Sequence, residues 1–396
     1  MLTKAYIPYK GYWSSPFCRW QGKLQNKNAI SCGAATARKF FELHSISSDV
    51  FDGLVLGTTV PQKRWFFAPP HFASKIGNEK ISGPLIAQAC ATSAVSINYA
   101  ANSIEMSTHK NVLVATTDRC SNAPNILWPN PAGLGGQPEY ESWMVDGFEE
   151  DPVAEVSAVQ TAENVAKEHG VSKEASDAMA LRRYEQYLDA LKNDRAFQKR
   201  YMIPVDVHVS KKETIQVEED EGIVPCTAEG LAKLKPVIPG GILTFGTQTH
   251  PADGNAGMIV TTKERAAELS RDKEITIQIL SFGYARAKKA YMPYAVTPCA
   301  QMTLENADIE VADLGAVKTH NPFTVNDVVM GKLIGVDDNI FNNYGSSLIF
   351  GHPQGPTGMR CIIEMIEELV IKGGGYGLFA GCAAGDTAAG LVLKVN

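Results

Sequence analysis

The chain has 396 residues, of which 44% are hydrophobic and 20% are charged, and its formal net charge is −6. This length predicts two or three packed units, and the composition excludes a largely disordered chain. Its 43 acidic and 37 basic residues are spread along the sequence without a basic block, so we expect no nucleic-acid partner.

The sequence predicts neither an exported nor a membrane-spanning protein. The N-terminal segment MLTKAYIPYKGYW lacks a continuous apolar core, and no stretch reaches the roughly 18 to 20 apolar residues of a membrane span. The eight cysteines are scattered without a C-x-x-C pair, which predicts neither a disulfide framework nor a zinc cluster. We therefore expect a cytoplasmic enzyme that binds no metal.

Helices and apolar strands alternate in the first part of the chain. Periodicity predicts a helix over residues 34–46 and a buried strand over residues 51–60. A second helix follows Cys90, and a second buried strand covers residues 111–117. This alternation is typical of a layered α/β sheet with parallel members.

Residues 120–254 differ in composition from the sequence on either side. Residues 122–143 are rich in Pro, Gly and Asn, which indicates irregular structure. Residues 161–191 have helical periodicity with a break near Gly170, after which Ser172 is a candidate N-cap. We therefore expect an excursion that lies over the sheet.

The layered pattern then resumes, and the spacing of the first half recurs in the second. The interval from Cys90 to Cys120 equals the interval from His352 to Cys382, and the apolar strands that precede Cys90 and His352 end at equal distances from them. Equal spacing and equal order of elements predict an internal duplication. If the halves pack about a pseudo-two-fold axis, Cys90 and His352 approach each other.

A cysteine and a histidine in these halves are the candidate nucleophile and general base. Cys90 directly precedes the helical segment ATSAVSINYAANSI, and a helix N-terminus or a basic neighbour lowers a thiol pKa. His352, in the rigid turn GHPQGPTG, supplies such a neighbour. A structural cysteine at a tight helix start and a buried histidine satisfied by the backbone are the alternatives.

Two further residues have the same character. Cys382 lies in AGCAAGD, where small residues let a substrate approach the backbone and free N–H groups can form an oxyanion hole. Two cysteines with separate duties, one a nucleophile and one an acid/base, fit carbon–carbon bond chemistry next to a thioester. His320, in THNPF, is the weakest candidate, because a lone histidine at a strand end is more often structural than catalytic.

These passages resemble those of the thiolase family over nearly the whole chain. GHPQGPTG is similar to the family's G-H-P-x-G-x-[ST]-G loop, GLFAGCAAGD to its G-L-x-x-x-C-x-G-G-G passage, and QTAENVA to its T-A-E-N-V-A segment. LAKLKPV resembles the segment before the family's T-A-G-N-x-S-G stretch, which is LTFGTQTH here.

The resemblance implies an α/β, thiolase-like five-layered αβαβα fold from two duplicated halves plus a loop domain. The N-terminal half would comprise residues 1–119 and 255–272, and the C-terminal half residues 273–396. Residues 120–254 would form the loop domain, which covers the active site and binds coenzyme A.

The resemblance also implies a role for each candidate residue. Cys90 would carry the acyl group, His352 would activate it, and Cys382 would move the proton at the α-carbon. The backbone N–H groups of Cys90 and Ala384 would form one oxyanion hole. His320 falls where many thiolases have the Asn of N-E-A-F, which holds the water of another oxyanion hole.

Several positions depart from the family pattern. HNPF resembles the H-D-C-F of the sterol-carrier-type thiolases, so His320 would donate to the thioester oxygen directly or through water. Thr249 takes the serine position that contacts coenzyme A, and His250 replaces a glycine of the channel. Cys382 is followed by A-A-G-D, so that two of the family's three glycines are replaced, and the His-Met-Gly that often precedes T-A-E-N is absent.

The activity implied is that of an acyl-CoA C-acyltransferase, which cleaves a 3-oxoacyl-CoA with coenzyme A through a Cys90 acyl-enzyme. Coenzyme A would be a substrate, no cofactor would be bound permanently, and the protein would be a homodimer or homotetramer. A bulky or aromatic substrate, such as benzoylsuccinyl-CoA, is a finer prediction, for which residues 63–70 and the segment NILWPN would line a wide pocket.

Two other functions stay open at the level of sequence. One is a biosynthetic thiolase that runs the reaction as a Claisen condensation to an acetoacyl-CoA. The other is a non-catalytic or partner-dependent thiolase-like subunit of a complex, whose partner would be a small zinc-ribbon and OB-fold protein.

Overall fold

The computed structural model describes all residues from 1 to 396 and contains twelve α-helices and fifteen β-strands. The helices are α1 (Ala29–His44), α2 (Ala68–Lys75), α3 (Thr92–Glu105), α4 (Val145–Glu149), α5 (Ala158–His169), α6 (Lys173–Arg195), α7 (Ala228–Lys233), α8 (Lys263–Leu269), α9 (Val296–Ala307), α10 (Thr324–Ile334), α11 (Ser347–Phe350) and α12 (Gly355–Ile371). The strands are β1 (Tyr6–Ile7), β2 (Tyr12–Ser14), β3 (Cys18–Arg19), β4 (Gly53–Gly57), β5 (Leu85–Ile86), β6 (Asn111–Arg119), β7 (Asn125–Trp128), β8 (Glu139–Ser142), β9 (Val205–His208), β10 (Thr214–Val217), β11 (Ala252–Thr261), β12 (Ile277–Arg286), β13 (Leu314–His320), β14 (Gly375–Ala383) and β15 (Thr387–Val395).

The main sheet is mixed, and its strand order is β13-β14-β15-β12-β1-β11-β6-β4-β5. Parallel pairing occurs at both ends, between β13 and β14 and among β4, β5 and β6. The central strands pair antiparallel, and the short β1 joins the two halves by pairing with both β11 and β12. The predicted parallel members are therefore the outer strands, where a helical crossover connects each pair.

Helices α3 and α12 pack on each other and lie between the two halves of the sheet, because each contacts strands of both halves. α1 and α2 cover the outer face of the first half, and α9, with α10 beside it, covers the outer face of the second. The result is the predicted order of layers: helix, sheet, helix, sheet, helix. α12 is buried almost all round, as its central position requires.

The helix boundaries show which sequence signals were sufficient. α1 begins at Ala29, earlier than the predicted residue 34, because the Asn28 side chain accepts from the Ser31 N–H (3.1 Å) and caps the helix there. α5 ends at the predicted break, where Gly170 is left-handed with φ of 64°. Ser172 caps α6 by accepting from the Ala175 N–H at 3.2 Å, as predicted.

Residues 120–254 contain α4 to α7 and two separate hairpins, β7–β8 and β9–β10, none of which extends the main sheet. The excursion is anchored to the core by charged pairs whose side chains are fully buried. Arg360 on α12 pairs with Asp220 (2.6 Å), and Arg183 on α6 pairs with Asp327 on α10 (2.8 Å). The division of the chain into 1–119 with 255–272, 120–254 and 273–396 stays a prediction.

None of the helices has both the length and the apolar character that crossing a bilayer requires.

Candidate active site

Cys90 lies at a sharp turn immediately before α3. The preceding residue, Ala89, is left-handed with φ of 43°, and Ala91 is the N-cap of the helix. The Thr92 hydroxyl fixes this turn, because it donates to the Ala89 carbonyl (2.7 Å) and accepts from the Gln88 N–H (2.9 Å). The turn therefore presents the thiol at the start of a helix, with 8% of Cys90 exposed.

His352 lies in the loop that leads into α12, and its imidazole meets the Cys90 thiol. The distance from His352 Nε2 to Cys90 Sγ is 3.0 Å, and His352 Nδ1 lies 2.7 Å from Thr357 Oγ1. When Nδ1–H donates to the threonine hydroxyl, Nε2 is the basic nitrogen and faces the thiol. The pairing predicted from the duplicated spacing is thus present in the structure.

His320, at the end of β13, stacks on His352 with ring centroids 4.0 Å apart. Its Nδ1 lies 2.8 Å from Ser347 Oγ, whereas its buried Nε2 has no hydrogen-bond partner. An unpaired buried nitrogen is costly unless a ligand satisfies it. The donor atoms of Cys90, His320 and His352 all lie within 4.8 Å of one another, so His320 belongs to the same cluster.

Cys382 lies near the end of β14 and is fully buried. Its sulfur accepts a hydrogen bond from Asn326 Nδ2 at 3.3 Å, and it lies close enough to Cys90 for that residue to raise the pKa of Cys382. Cys382 does not line the cavity that reaches Cys90. The structure thus brings the second cysteine next to the cluster.

A cavity of about 230 Å³ reaches the cluster, and both Thr249 and Ala384 line it. His250 lies instead in a neighbouring cavity of about 650 Å³, and Gln248 and Pro251 line both. The remaining residues that line the smaller cavity with Cys90 are Gly147, Phe148, Asp151, Ala158, Val159, Thr161, Met292, Pro322, Phe323, His352 and Gln354.

The expectation that residues 63–70 and the segment NILWPN line this cavity is wrong. Neither stretch contributes a residue to it, and Phe66 and Trp128 are instead exposed. Aromatic composition alone therefore did not identify the walls, which come from residues far apart in sequence.

Burial keeps the resting cluster uncharged. It raises the pKa of Cys90 to about 12, although the backbone N–H groups of Ala384 and of Cys90 itself oppose the rise. It lowers the pKa of His352 to about 3, against the hydrogen bond of the Gln354 side chain, and that of His320 well below its ordinary value. Burial also raises the pKa of Cys382. A thiolate at Cys90 therefore forms only when its proton passes to a neighbour.

Five supporting residues were not singled out by sequence reasoning. Thr357, Ser347 and Asn326 orient His352, His320 and Cys382 respectively, and the Gln354 amide oxygen accepts from the Cys90 thiol at 3.4 Å. The buried Asp118 accepts from the Gly355 N–H (2.9 Å) and the Thr58 hydroxyl (2.7 Å), which ties the start of α12 to the end of β4. Of these five residues, only Thr357 and Gln354 belong to one of the motifs described above, GHPQGPTG.

Comparison with known families gives the same assignment along the whole chain. The model described as "Thiolase, N-terminal domain" matches residues 13–264, and that described as "Thiolase, C-terminal domain" matches residues 273–395. Among curated proteins, the chain is 25% identical over 381 residues to "Acetyl-CoA acetyltransferase" of Escherichia coli (strain K12), with 95% of each chain covered. It is 24% identical over 390 residues to "3-ketoacyl-CoA thiolase, mitochondrial" of Homo sapiens, with 96% of each covered.

Solved structures share the fold. The human mitochondrial 3-ketoacyl-CoA thiolase in complex with CoA superposes with a TM-score of 0.89 at 22% identity, covering 99% of this chain and 98% of that one. The Bacillus anthracis acetyl-CoA acetyltransferase gives a TM-score of 0.91 at 22% identity, covering 100% and 99%. The protein has the α/β fold of these enzymes with a buried Cys–His pair at its centre. The chain belongs to the thiolase family of acyltransferase enzymes.

Proposed function

We propose that the protein is a thiolase that cleaves a 3-oxoacyl-CoA with coenzyme A through an acyl-enzyme on Cys90. The observation that carries this proposal is the 3.0 Å contact between His352 Nε2 and Cys90 Sγ at the end of a cavity. A thiol that is neutral at rest needs a base within hydrogen-bond reach, and His352 meets that requirement.

The first half-reaction would transfer the acyl group to the enzyme. The Cys90 proton moves to His352, and the thiolate attacks the 3-oxo carbon of the substrate. The bond between C2 and C3 then breaks, and the departing enolate of acetyl-CoA or a related acyl-CoA takes the Cys382 proton at C2. Burial raises the pKa of Cys382, so this thiol stays protonated until the enolate forms, as a general acid must.

The second half-reaction would release the shortened acyl-CoA. The Cys382 thiolate takes the proton of incoming coenzyme A, and the coenzyme A thiolate attacks the acyl-enzyme carbonyl. Cys90 leaves as a thiolate and recovers its proton from His352, so both cysteines return to their resting state. The reverse sequence of the same steps is the Claisen condensation of the biosynthetic alternative.

Two oxyanion sites support this chemistry. When the Ser347 hydroxyl donates to His320 Nδ1, the imidazole carries its proton on Nε2, the nitrogen that lacks a partner. The Nε2–H can then donate to the thioester oxygen. The backbone N–H groups of Cys90 and Ala384 both act on the Cys90 sulfur, so they would lie next to the oxygen of an acyl group carried by Cys90. The proposed reaction uses these hydrogen-bond donors and coenzyme A as a substrate, and it includes no permanently bound cofactor.

Coenzyme A would enter along Thr249 and His250. Thr249 lines the cavity next to Cys90, and its hydroxyl donates to the Ser347 carbonyl, which fixes the side chain. His250 lines the larger neighbouring cavity, which shares Gln248 and Pro251 with the cavity that reaches Cys90. Coenzyme A bound along these two residues would extend from one cavity into the other. The histidine would narrow this channel compared with the glycine of other family members.

The acyl group is proposed to be bulky or aromatic. Phe148, Met292 and Phe323 supply apolar walls, and no lysine or arginine lines the cavity. Benzoylsuccinyl-CoA has an aromatic ring that suits these walls and a carboxylate that meets no cation among them. Benzoylacetyl-CoA has the same ring without the carboxylate, so we expect it to be cleaved with the higher kcat/KM, as measured by thiolysis in the presence of coenzyme A.

The proposal is tested by intact-protein mass after incubation with a set of acyl-CoAs. We expect an acyl adduct on the wild-type protein and none on Cys90→Ser. The absence of an adduct with every acyl-CoA would favour a non-catalytic subunit. An adduct that forms only with co-purifying protein would favour the partner-dependent complex, with a zinc-ribbon and OB-fold partner as the proposed component.

The proposed quaternary structure is a homodimer or homotetramer, and the proposed location is the cytoplasm. Light scattering on the purified protein tests the first, and a mass of one chain would contradict it. Fractionation of the source cells tests the second, and recovery outside the cytoplasmic fraction would contradict it.

A further inference from the structure

The side chain of Gln354 occupies an unusual position beside the Cys–His pair. Apart from His352, it is the side chain that bonds to the Cys90 thiol, with Sγ to Oε1 at 3.4 Å. Gln354 lines the cavity that reaches Cys90 and is itself 7% exposed. A buried amide oxygen next to a nucleophile and its base can exchange hydrogen-bond partners as the proton moves.

The backbone of Gln354 is held in a conformation that favours glycine. Its φ is 60° and its ψ is −104°, although the residue has a side chain and is the N-cap of α12. Its carbonyl accepts from the Thr357 N–H (3.2 Å), and the next residue, Gly355, donates to the buried Asp118. Backbone strain of this kind persists only where the surroundings fix it, and it is found where a side chain has a defined task.

The same amide acts on the base. The Gln354 amide oxygen and His352 Nε2 both contact the Cys90 sulfur, so they lie side by side, and the amide favours the charged form of His352 against the effect of burial on its pKa. The Nδ1 side of the imidazole is already occupied by Thr357. The Gln354 oxygen is therefore an acceptor available to Nε2–H when that nitrogen carries the proton.

We propose that Gln354 is a positioning residue whose amide oxygen accepts the S–H of Cys90 at rest and the Nε2–H of His352 after proton transfer. The step moves one proton from sulfur to Nε2 and breaks no other bond. Gln354 then stabilises the ion pair from which acylation starts. This inference rests on the proposed thiolase function only for its consequence in catalysis.

Other titratable groups face the same pair and are the same in the wild type and in both variants, so that their own titration is common to the profiles that are compared. They are His320, which stacks on His352; His250, which also acts on His352; Asp118, which acts on Cys90; and the buried thiols of Cys120 and Cys382.

The test compares alkylation of Cys90 by iodoacetamide across pH in two variants, with the modified cysteine identified by peptide mass. Gln354→Met keeps the side-chain length without the acceptor, and Gln354→Asn keeps the amide but is one methylene too short to reach. We expect both to lower the rate at neutral pH about tenfold, which is the effect of one pKa unit. At low pH the rate of alkylation falls, because protonated His352 cannot accept the Cys90 proton. This acid limb of the profile should move to lower pH in both variants, because His352 holds its proton less well without the Gln354 oxygen. Gln216→Met, outside the site, should match the wild type.

A Met variant that reacts at the wild-type rate with an unchanged acid limb would overturn the inference and leave Gln354 a packing role. If the Met variant does not fold, the direction in which the acid limb of Gln354→Asn moves decides, since lost packing alone would weaken the effect of burial on His352 and move the limb to higher pH. The alkylation assay needs no acyl-CoA. A wild-type protein that forms no acyl adduct would therefore contradict the proposed function and leave the result on Gln354 standing.

Discussion

Removal of the imidazole in His352→Ala should nearly abolish acyl transfer to Cys90. Burial raises the pKa of the thiol to about 12, so without a base about one molecule in 10,000 is a thiolate at pH 8. A positioned general base contributes about 10² to 10⁴ in rate. From the two estimates we expect acylation by a 3-oxoacyl-CoA to fall about 10³- to 10⁴-fold.

The pH dependence of the variant separates this cause from a general loss of structure. The rate of His352→Ala should rise about tenfold per pH unit between pH 7 and 10, as the thiolate fraction grows. The wild-type rate should be nearly flat over that range, because burial lowers the pKa of His352 and keeps the imidazole neutral there. Stopped-flow measurement of the single-turnover rate gives both profiles.

His208→Ala is the matched control, because this histidine is exposed on β9. It should keep the wild-type rate at every pH. If His352→Ala retained its rate at pH 8 within about threefold, or lost rate equally at all pH values, His352 would not be the base that activates Cys90.

Three further variants address the acid, the oxyanion site and the anchoring of the excursion. Cys382→Ala should lower thiolysis about 10²-fold or more, since no acid would protonate the enolate, and retained activity would refute the two-cysteine mechanism. His320→Ala should lower kcat about 10²- to 10³-fold with little change in KM, and a change in KM alone would assign it to binding. Asp220→Ala should destabilise the fold by about 3 kcal/mol in urea unfolding, because it leaves Arg360 buried without its main partner; the exposed Glu168→Ala should not shift the midpoint.

Local features of the sequence were enough for much of the secondary structure. The break at Gly170 and the cap at Ser172 follow from backbone conformation and from a side chain that reaches the N–H three residues ahead, and both are present. The start of α1 was missed, because Asn28 as a cap was overlooked. Parallel members of the sheet were predicted and are present, but local pattern does not specify which strands become neighbours or which pairs are antiparallel in the centre of the sheet.

The site could be predicted only as far as the duplication allowed. Equal intervals placed Cys90 and His352 at equivalent helix starts, so their meeting follows from symmetry, and the structure brings them together at 3.0 Å. Gln354 lay within a quoted motif without a role, since its contact with the thiol depends on a left-handed backbone that sequence does not report.

The sequence by itself thus determined the family, because its motifs are read from residue type and order, and through that resemblance it predicted the order of layers. It also predicted, without establishing, the residues that we propose carry the chemistry. Only the tertiary structure decided which groups are charged, because pKa values depend on burial. The structure also decided which nitrogen of His352 faces Cys90 and which nitrogen of His320 lacks a partner. It also decided the walls of the cavity, because side chains from the excursion and both halves meet there at distances in sequence that no local pattern connects.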